Sequence, residues 1–149
     1  MLVYFAKTRN HGLEVPCAAT HGSAGLDLRA DIGVDHSLII NPGKTVKIPT
    51  GWRIGIPPYH VGLVCPRSGL AAKHGITVLN APGVIDSDYT GEVQVLLHNT
   101  GDKPFIVMHG DRIAQLVVVP VSCYPSIEVS ELAATVRGEG GFGSTGVAA

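Results

Sequence analysis

The chain has 149 residues, a formal net charge of −1, and charged side chains at only 15% of positions, against roughly a quarter in ordinary globular domains. With no basic run, nucleic acid is an unsuitable partner, and no apolar run reaches the ~18 residues of a membrane-spanning helix. The length suits one domain, and an apolar content of 45% is high for a domain this small, which predicts a subunit interface.

The opening "MLVYFAKTRN" lacks the basic start, apolar run and small-residue cleavage site of a signal peptide, so the expected location is the cytoplasm. Cys17, Cys65 and Cys123 are odd in number and share no metal-like spacing, as reduced intracellular thiols would. The seven histidines form no H-x-x-H or H-E-x-x-H pair, which argues against zinc.

In chain order, "SAGLDLRA" (23–30) reads as an alternating strand with Asp27 between Leu26 and Leu28. Asp27 is either a solvent-facing strand residue or an acid that holds Mg²⁺, directly or through water. "TVKI" alternates until the turn signal "PTG", and "WRIGI" places Trp52, Ile54 and Ile56 on one face. "PRSGLAAKHG" (66–75) predicts one short helix capped by Ser68 and closed by Gly75. The same stretch offers an anion site, with Arg67 and the Ser68 hydroxyl at the mouth of the helix.

"NAPGVIDSDYTGEVQV" (80–95) reads as an extended arm turning through "SDYTG" into a strand, a hairpin. Asp86 and Asp88 suit Asx-type turns. Alternatively Asp86, partly enclosed behind Val84 and Ile85 and followed by Tyr89, is a base acting on water near a phosphate ester. Val93, Val95 and Leu97 share a face in "EVQVLLH"; "PFIVMH" and "RIAQLVVV" continue in the same style. Gln115 sits on a strand otherwise suited to burial, so its amide needs partners. The tail "RGEGGFGSTG" (137–146) holds five glycines, an arginine and one aromatic ring. It approximates a P-loop, but Ser144 stands where the lysine belongs, and that motif requires a strand before and a helix after. It is either a frayed terminus or a kit of backbone N–H groups, hydroxyls, a cation and a ring suited to a phosphate and a flat base. Short strands at close spacing, with 19 glycines and 10 prolines, predict an all-β fold, a jelly roll with one short helix and a flexible C-terminal arm.

"AGLDLRA", "PRSGLA", "GVIDSDYTG", "GDRIAQL" and "RGEGGFGSTG" resemble, in order and spacing, the five motifs of the homotrimeric dUTP diphosphatases (dUTPases). The resemblance implies Mg²⁺-dependent hydrolysis of dUTP to dUMP and pyrophosphate by water attack on the α-phosphorus. Such a reaction limits uracil incorporation into DNA and supplies dUMP for dTMP synthesis. It also implies a jelly-roll domain over 1–136 and an arm over 137–149 that closes a site shared between subunits of a trimer. By the same resemblance Asp86 is the general base, and Tyr89 packs on deoxyribose and excludes a 2′-hydroxyl. Asn80, Val84, Ile85 and Gln94 line the uracil slot, while Arg67, Ser68, Gly69 and Gln115 contact phosphate. Asp27 holds Mg²⁺ through water. In the arm, Phe142 stacks on uracil while Arg137, Gly143 and Ser144 wrap the phosphates. Two other activities compete. A dCTP deaminase or its bifunctional form needs a glutamate in the strand after the hairpin, and Leu96 stands there. A nucleotide-sensing binding protein would have no need of a complete catalytic set.

Overall fold

In a computed structural model describing residues 2–141, two antiparallel four-stranded sheets stack on one core. The strands are β1 (Tyr4–Lys7), β2 (Leu26–Arg29), β3 (Ser37–Ile40), β4 (Thr45–Gly55), β5 (His60–Cys65), β6 (Ile76–Val78), β7 (Gly83–Ile85), β8 (Glu92–Asn99), β9 (Phe105–Met108) and β10 (Arg112–Pro120). Helix α1 (Ser68–His74) follows β5. The first sheet runs β1-β4-β8-β6, the second β2-β10-β5-β7, and β3 pairs with β9 in a separate ribbon. Alternation explains the core, because successive side chains in a strand point to opposite faces. Ile48, Ile54, Val93, Val95 and Leu97 from the first sheet meet Leu28, Val64, Ile85, Ala114 and Leu116 from the second, and Ile40 and Val107 of the ribbon join them. Trp52, Ile54 and Ile56 are all buried, on one face as their spacing predicts. The expected all-β architecture with one short helix is what forms.

Three local expectations are corrected. First, "PTG" does not end a strand: β4 continues through Pro49, Thr50 and Gly51. Its register against β8 shifts between Pro49 and Arg53, so the proline and the positive φ of Gly51 (78°) are absorbed in a bulge. Second, Ser68 is not the cap of α1. Arg67 is the N-cap residue, without a side-chain cap hydrogen bond, while Gly75 closes the helix in the left-handed conformation as expected. Third, the stretch around "SDYTG" is not a hairpin. β7 pairs with β5 in one sheet, and β8 pairs with β4 and β6 in the other. The turn carries the chain from one layer to the other.

Beyond β10, residues 121–141 run without regular secondary structure and lie almost entirely exposed. Tyr124 (84% exposed), Ile127 (79%) and Leu132 (84%) find no cover in their own chain. Among the described residues, no helix is long and apolar enough to cross a membrane.

Candidate active site

Because β7 and β8 belong to different sheets, a cleft of about 310 Å³ opens between them. β7 is the outer strand of its sheet, so the backbone edge facing away from β5 is unpaired. The first half of β8 is likewise free on one side, since β6 reaches only Leu97–Asn99. Two exposed rows of N–H and C=O groups therefore face a narrow slot, the geometry that pairs with the polar edge of a flat ring. Asn80, Val84, Ile85, Asp86, Tyr89 and Gln94 all line it. The structure thus brings together the residues expected at the base, the sugar and the attacking water.

Asp86 lies where β7 ends, and its carbonyl accepts the Tyr89 N–H at 3.1 Å, closing the turn. Its side chain is exposed in the single chain, a correction to the expected partial enclosure. The cause is strand alternation: Ile85 turns into the core while Val84 faces out, so only one of the two apolar neighbours shields the carboxylate. Tyr89 is half-exposed (46%); its hydroxyl donates to the Glu92 carbonyl at 3.0 Å. The ring lies across Gly91, where a Cβ would collide with the hydroxyl oxygen and the ring carbon that bears it. Any larger residue there would displace the ring from this position.

A second constellation forms where β2 and β10 meet the start of α1. Ser23, Gly25, Asp27, Arg67, Ser68, Gly69, Arg112 and Gln115 are among the residues lining an open depression there. Asp27 sits in a fork of two guanidinium groups, with Arg67 Nε 3.3 Å from Oδ1 and Arg112 Nη1 3.1 Å from Oδ2. Arg67 also donates to the Arg112 carbonyl at 3.0 Å. Gln115 finds the partner its position requires, donating from Nε2 to the Pro66 carbonyl at 3.0 Å. It fits because Gly25 is bare: a Cβ there would lie 2.5 Å from Gln115 Oε1. Ser68 and Gly69 are exposed at the rim. A helix of seven residues has a small dipole, so the anion-attracting character rests on the two arginines. Arg112 went unremarked in the sequence; its position in "GDRIAQL" was visible, but its pairing with Asp27 depends on the β2–β10 register.

The two constellations share no lining residue. β2 and β7 are the opposite edges of the same sheet, three strand spacings or roughly 14 Å apart. Arg137, the arm residue within the described range, folds only on itself, donating from Nε to the Gly140 carbonyl at 2.7 Å. It touches neither constellation. Phe142, Gly143 and Ser144 lie outside the described residues. For a metal, the described residues offer no group of three or more His, Cys, Asp or Glu side chains, and Asp27 is already engaged by cations. Among the described residues there is no cage for an ion. One acid in an open depression suits Mg²⁺ that keeps most of its own waters.

Comparison with known proteins agrees with this geometry. The family model described as dUTPase matches residues 12–146. The deoxyuridine 5′-triphosphate nucleotidohydrolase of Methylocella silvestris is 54% identical over 141 residues, covering 93% of this chain and 88% of that protein. The enzyme of the same name from Rhizobium etli is 52% identical over 136 residues, covering 91% and 87%. Among solved structures, a point mutant of Staphylococcus bacteriophage 80alpha dUTPase with dUpNHpp superposes with a TM-score of 0.87 at 24% identity, covering 98% of this chain and 99% of that one. A point mutant of the dUTPase from phage phi11 of S. aureus, described with a structural Mg(II) ion, gives a TM-score of 0.79 at 20% identity, covering 90% and 100%. Cleft, arginine fork, fold and relatives converge: the chain belongs to the dUTPase family.

Proposed function

We propose that this protein hydrolyses dUTP to dUMP and pyrophosphate as a homotrimer whose active sites are shared between chains. One observation carries the reading: a base-sized slot edged by free backbone and Asp86 lies apart from an arginine-lined anion depression on the same sheet. One chain holds both halves of a nucleotide site but does not join them. The exposed apolar side chains Tyr124, Ile127, Val129 and Leu132 along residues 121–141 support assembly, since such groups find cover on a neighbour. We divide the chain accordingly, into a β-sandwich domain over 1–136 and an arm over 137–149 that reaches another subunit's site.

In this mechanism uracil enters the slot and pairs with the free backbone edge from Val84 to Asp86, flanked by Asn80 and Gln94. The Tyr89 ring packs against deoxyribose and leaves no room for a 2′-hydroxyl. Arg67, Ser68, Gly69 and Gln115 of an adjacent chain hold the phosphates. Asp86 orients a water and takes its proton as the water oxygen bonds to the α-phosphorus. The bond from that phosphorus to the bridging oxygen breaks, and pyrophosphate leaves. Proton acceptance by a positioned side chain contributes about 10²–10⁴-fold. Arg137, Phe142, Gly143 and Ser144 close the site, the ring stacking on uracil and the rest contacting phosphate. Mg²⁺, when bound with the substrate, offsets phosphate charge. Leu96 lines the slot and carries no proton, which disfavours deamination. Three free cysteines suit the reducing cytoplasm.

The test is to incubate the purified full-length protein with dUTP and Mg²⁺ in ¹⁸O-labelled water. Release of pyrophosphate, with the label in dUMP, is expected. Label in the pyrophosphate would overturn attack at the α-phosphorus, and no turnover would overturn the activity.

A further inference from the structure

At the start of β8 the ladder to β4 is interrupted. Gln94 pairs with Pro49 and Glu92 with Arg53, so three residues of β4 face a single residue of β8 across the bulge. Ladder hydrogen bonds cannot hold the strand there. Side chains do so instead: Thr50 Oγ1 donates to the Val93 carbonyl at 2.7 Å, while Glu92 Oε1 accepts the Gly51 N–H at 2.8 Å and lies 3.4 Å from Arg9 Nη1. Arg9 is itself held from the other side. Its Nη2 lies 2.5 Å from Asp31 Oδ2 and donates to the Asp31 carbonyl at 3.2 Å. Asp31 is buried (4% exposed), and His109 Nδ1 lies 3.5 Å from its other oxygen. A carboxylate this deep is costly to leave without a partner, so it fixes Arg9, and Arg9 steadies Glu92.

Glu92 also provides the carbonyl that receives the Tyr89 hydroxyl. Whatever fixes Glu92 therefore fixes the Tyr89 ring. We infer that Glu92 is a positioning residue for sugar selection. Its carboxylate ties the start of β8 into the β4 bulge, and its carbonyl sets the height at which the Tyr89 ring meets the sugar. Arg9 and Asp31 extend that tie to the N-terminal strand. A ring that excludes one hydroxyl must be held to a fraction of an ångström, and shape contacts alone discriminate by only 10–200-fold or so. Small losses of positioning are therefore visible in the choice of substrate before they are visible in turnover.

The inference rests on the proposed role of Tyr89, and its test separates the two. Full-length Glu92→Ala, Glu92→Gln, Tyr89→Phe, Tyr89→Ala and the Glu92→Ala/Tyr89→Phe double variant are assayed for kcat and KM on dUTP and on UTP. Emission from Trp52, which is buried, checks that each is folded. Glu92→Ala should lower the dUTP-over-UTP ratio of kcat/KM by roughly tenfold, the low end of a pocket shape contact, with kcat on dUTP little changed. Glu92→Gln should restore most of the ratio, because its amide oxygen still accepts from Gly51. Tyr89→Phe cuts the tie from the other end and should lower the ratio as far as Glu92→Ala does, and the double variant should lower it no further. An unchanged ratio in Glu92→Ala and Tyr89→Phe, beside a lowered ratio in Tyr89→Ala, overturns the positioning role and leaves Tyr89's role standing. Glu92→Gln as damaging as Glu92→Ala also overturns it. An unchanged ratio in Tyr89→Ala removes the reading on which the inference rests. Should Glu92→Ala fail to fold, Tyr89→Phe decides alone.

Discussion

The two edges of the β2-β10-β5-β7 sheet differ in what they offer a ligand. The β7 edge borders a slot where apolar side chains mix with Asn80, Glu92 and Gln94 beside unpaired backbone, and Asp86 lines it too. The β2 edge presents Asp27 clasped by Arg67 and Arg112. A nucleotide needs both environments, because a base is recognised by directional hydrogen bonds and a triphosphate by charge. One sheet supplies them at opposite ends. A carboxylate placed beside the two arginines would be drawn into their ion pairs, as Asp27 is. Keeping Asp86 at the far edge leaves it available to water. In the proposed trimer, a closed ring would set the β7 edge of one chain against the β2 edge of another.

That division predicts unlike consequences for substitutions at the two edges. The largest effect belongs to the β7 edge. Asp86→Asn should lower kcat by about 10²–10⁴-fold while calorimetric affinity for a non-hydrolysable dUTP analogue stays near that of the parent. Equal losses in both would make Asp86 a binding residue. At the β2 edge, Arg67→Ala should instead weaken nucleotide binding, by about 1.5–3 kcal/mol for a charge-assisted hydrogen bond, with dUMP losing less affinity than dUTP. An equal loss for the two ligands would show that Arg67 does not read the outer phosphates. Tyr89→Ala should narrow the preference for dUTP over UTP by about 1–3 kcal/mol and leave the magnesium requirement alone. Asp27→Asn should do the reverse, raising the Mg²⁺ needed for half-maximal rate roughly tenfold, the scale of an outer-shell ligand. Identical magnesium titrations would return Asp27 to a purely structural partner of the two arginines.

Much of this architecture was legible in the sequence because it is local. Strand alternation marked Trp52, Ile54 and Ile56, and Val93, Val95 and Leu97, as core, and Gly75 marked the end of α1. The slot residues Asn80, Val84, Ile85 and Gln94 were named by the resemblance to a family motif rather than by local pattern, and they do line one cleft. Long-range geometry was not legible. The turn chemistry of "SDYTG" suits a hairpin equally well, and nothing in those residues says that β7 and β8 enter different sheets. A proline and a glycine in β4 read as a break, because the partner strand that accommodates the bulge lies far along the chain. The contact of Arg9 with Glu92 spans 83 positions and has no local signature. The exposure of Asp86 follows from which way Val84 faces, which only the strand register decides.

The central claim is that Asp86 of one chain acts on phosphates held by Arg67 of another. Asp86→Asn and Arg67→Ala chains, each impaired alone, can be unfolded, mixed in equal amounts and refolded together, with mixed trimers verified by native mass spectrometry. If the site is shared, roughly a quarter of sites in a randomly assembled three-fold ring combine an intact Asp86 with an intact Arg67. Activity should then rise well above the sum of the parents, toward about a quarter of the unsubstituted protein. If one chain supplies both residues to the same site, every site in every mixed trimer carries one defect. Activity that stays at the average of the two parents, in verified mixed trimers, would contradict the account.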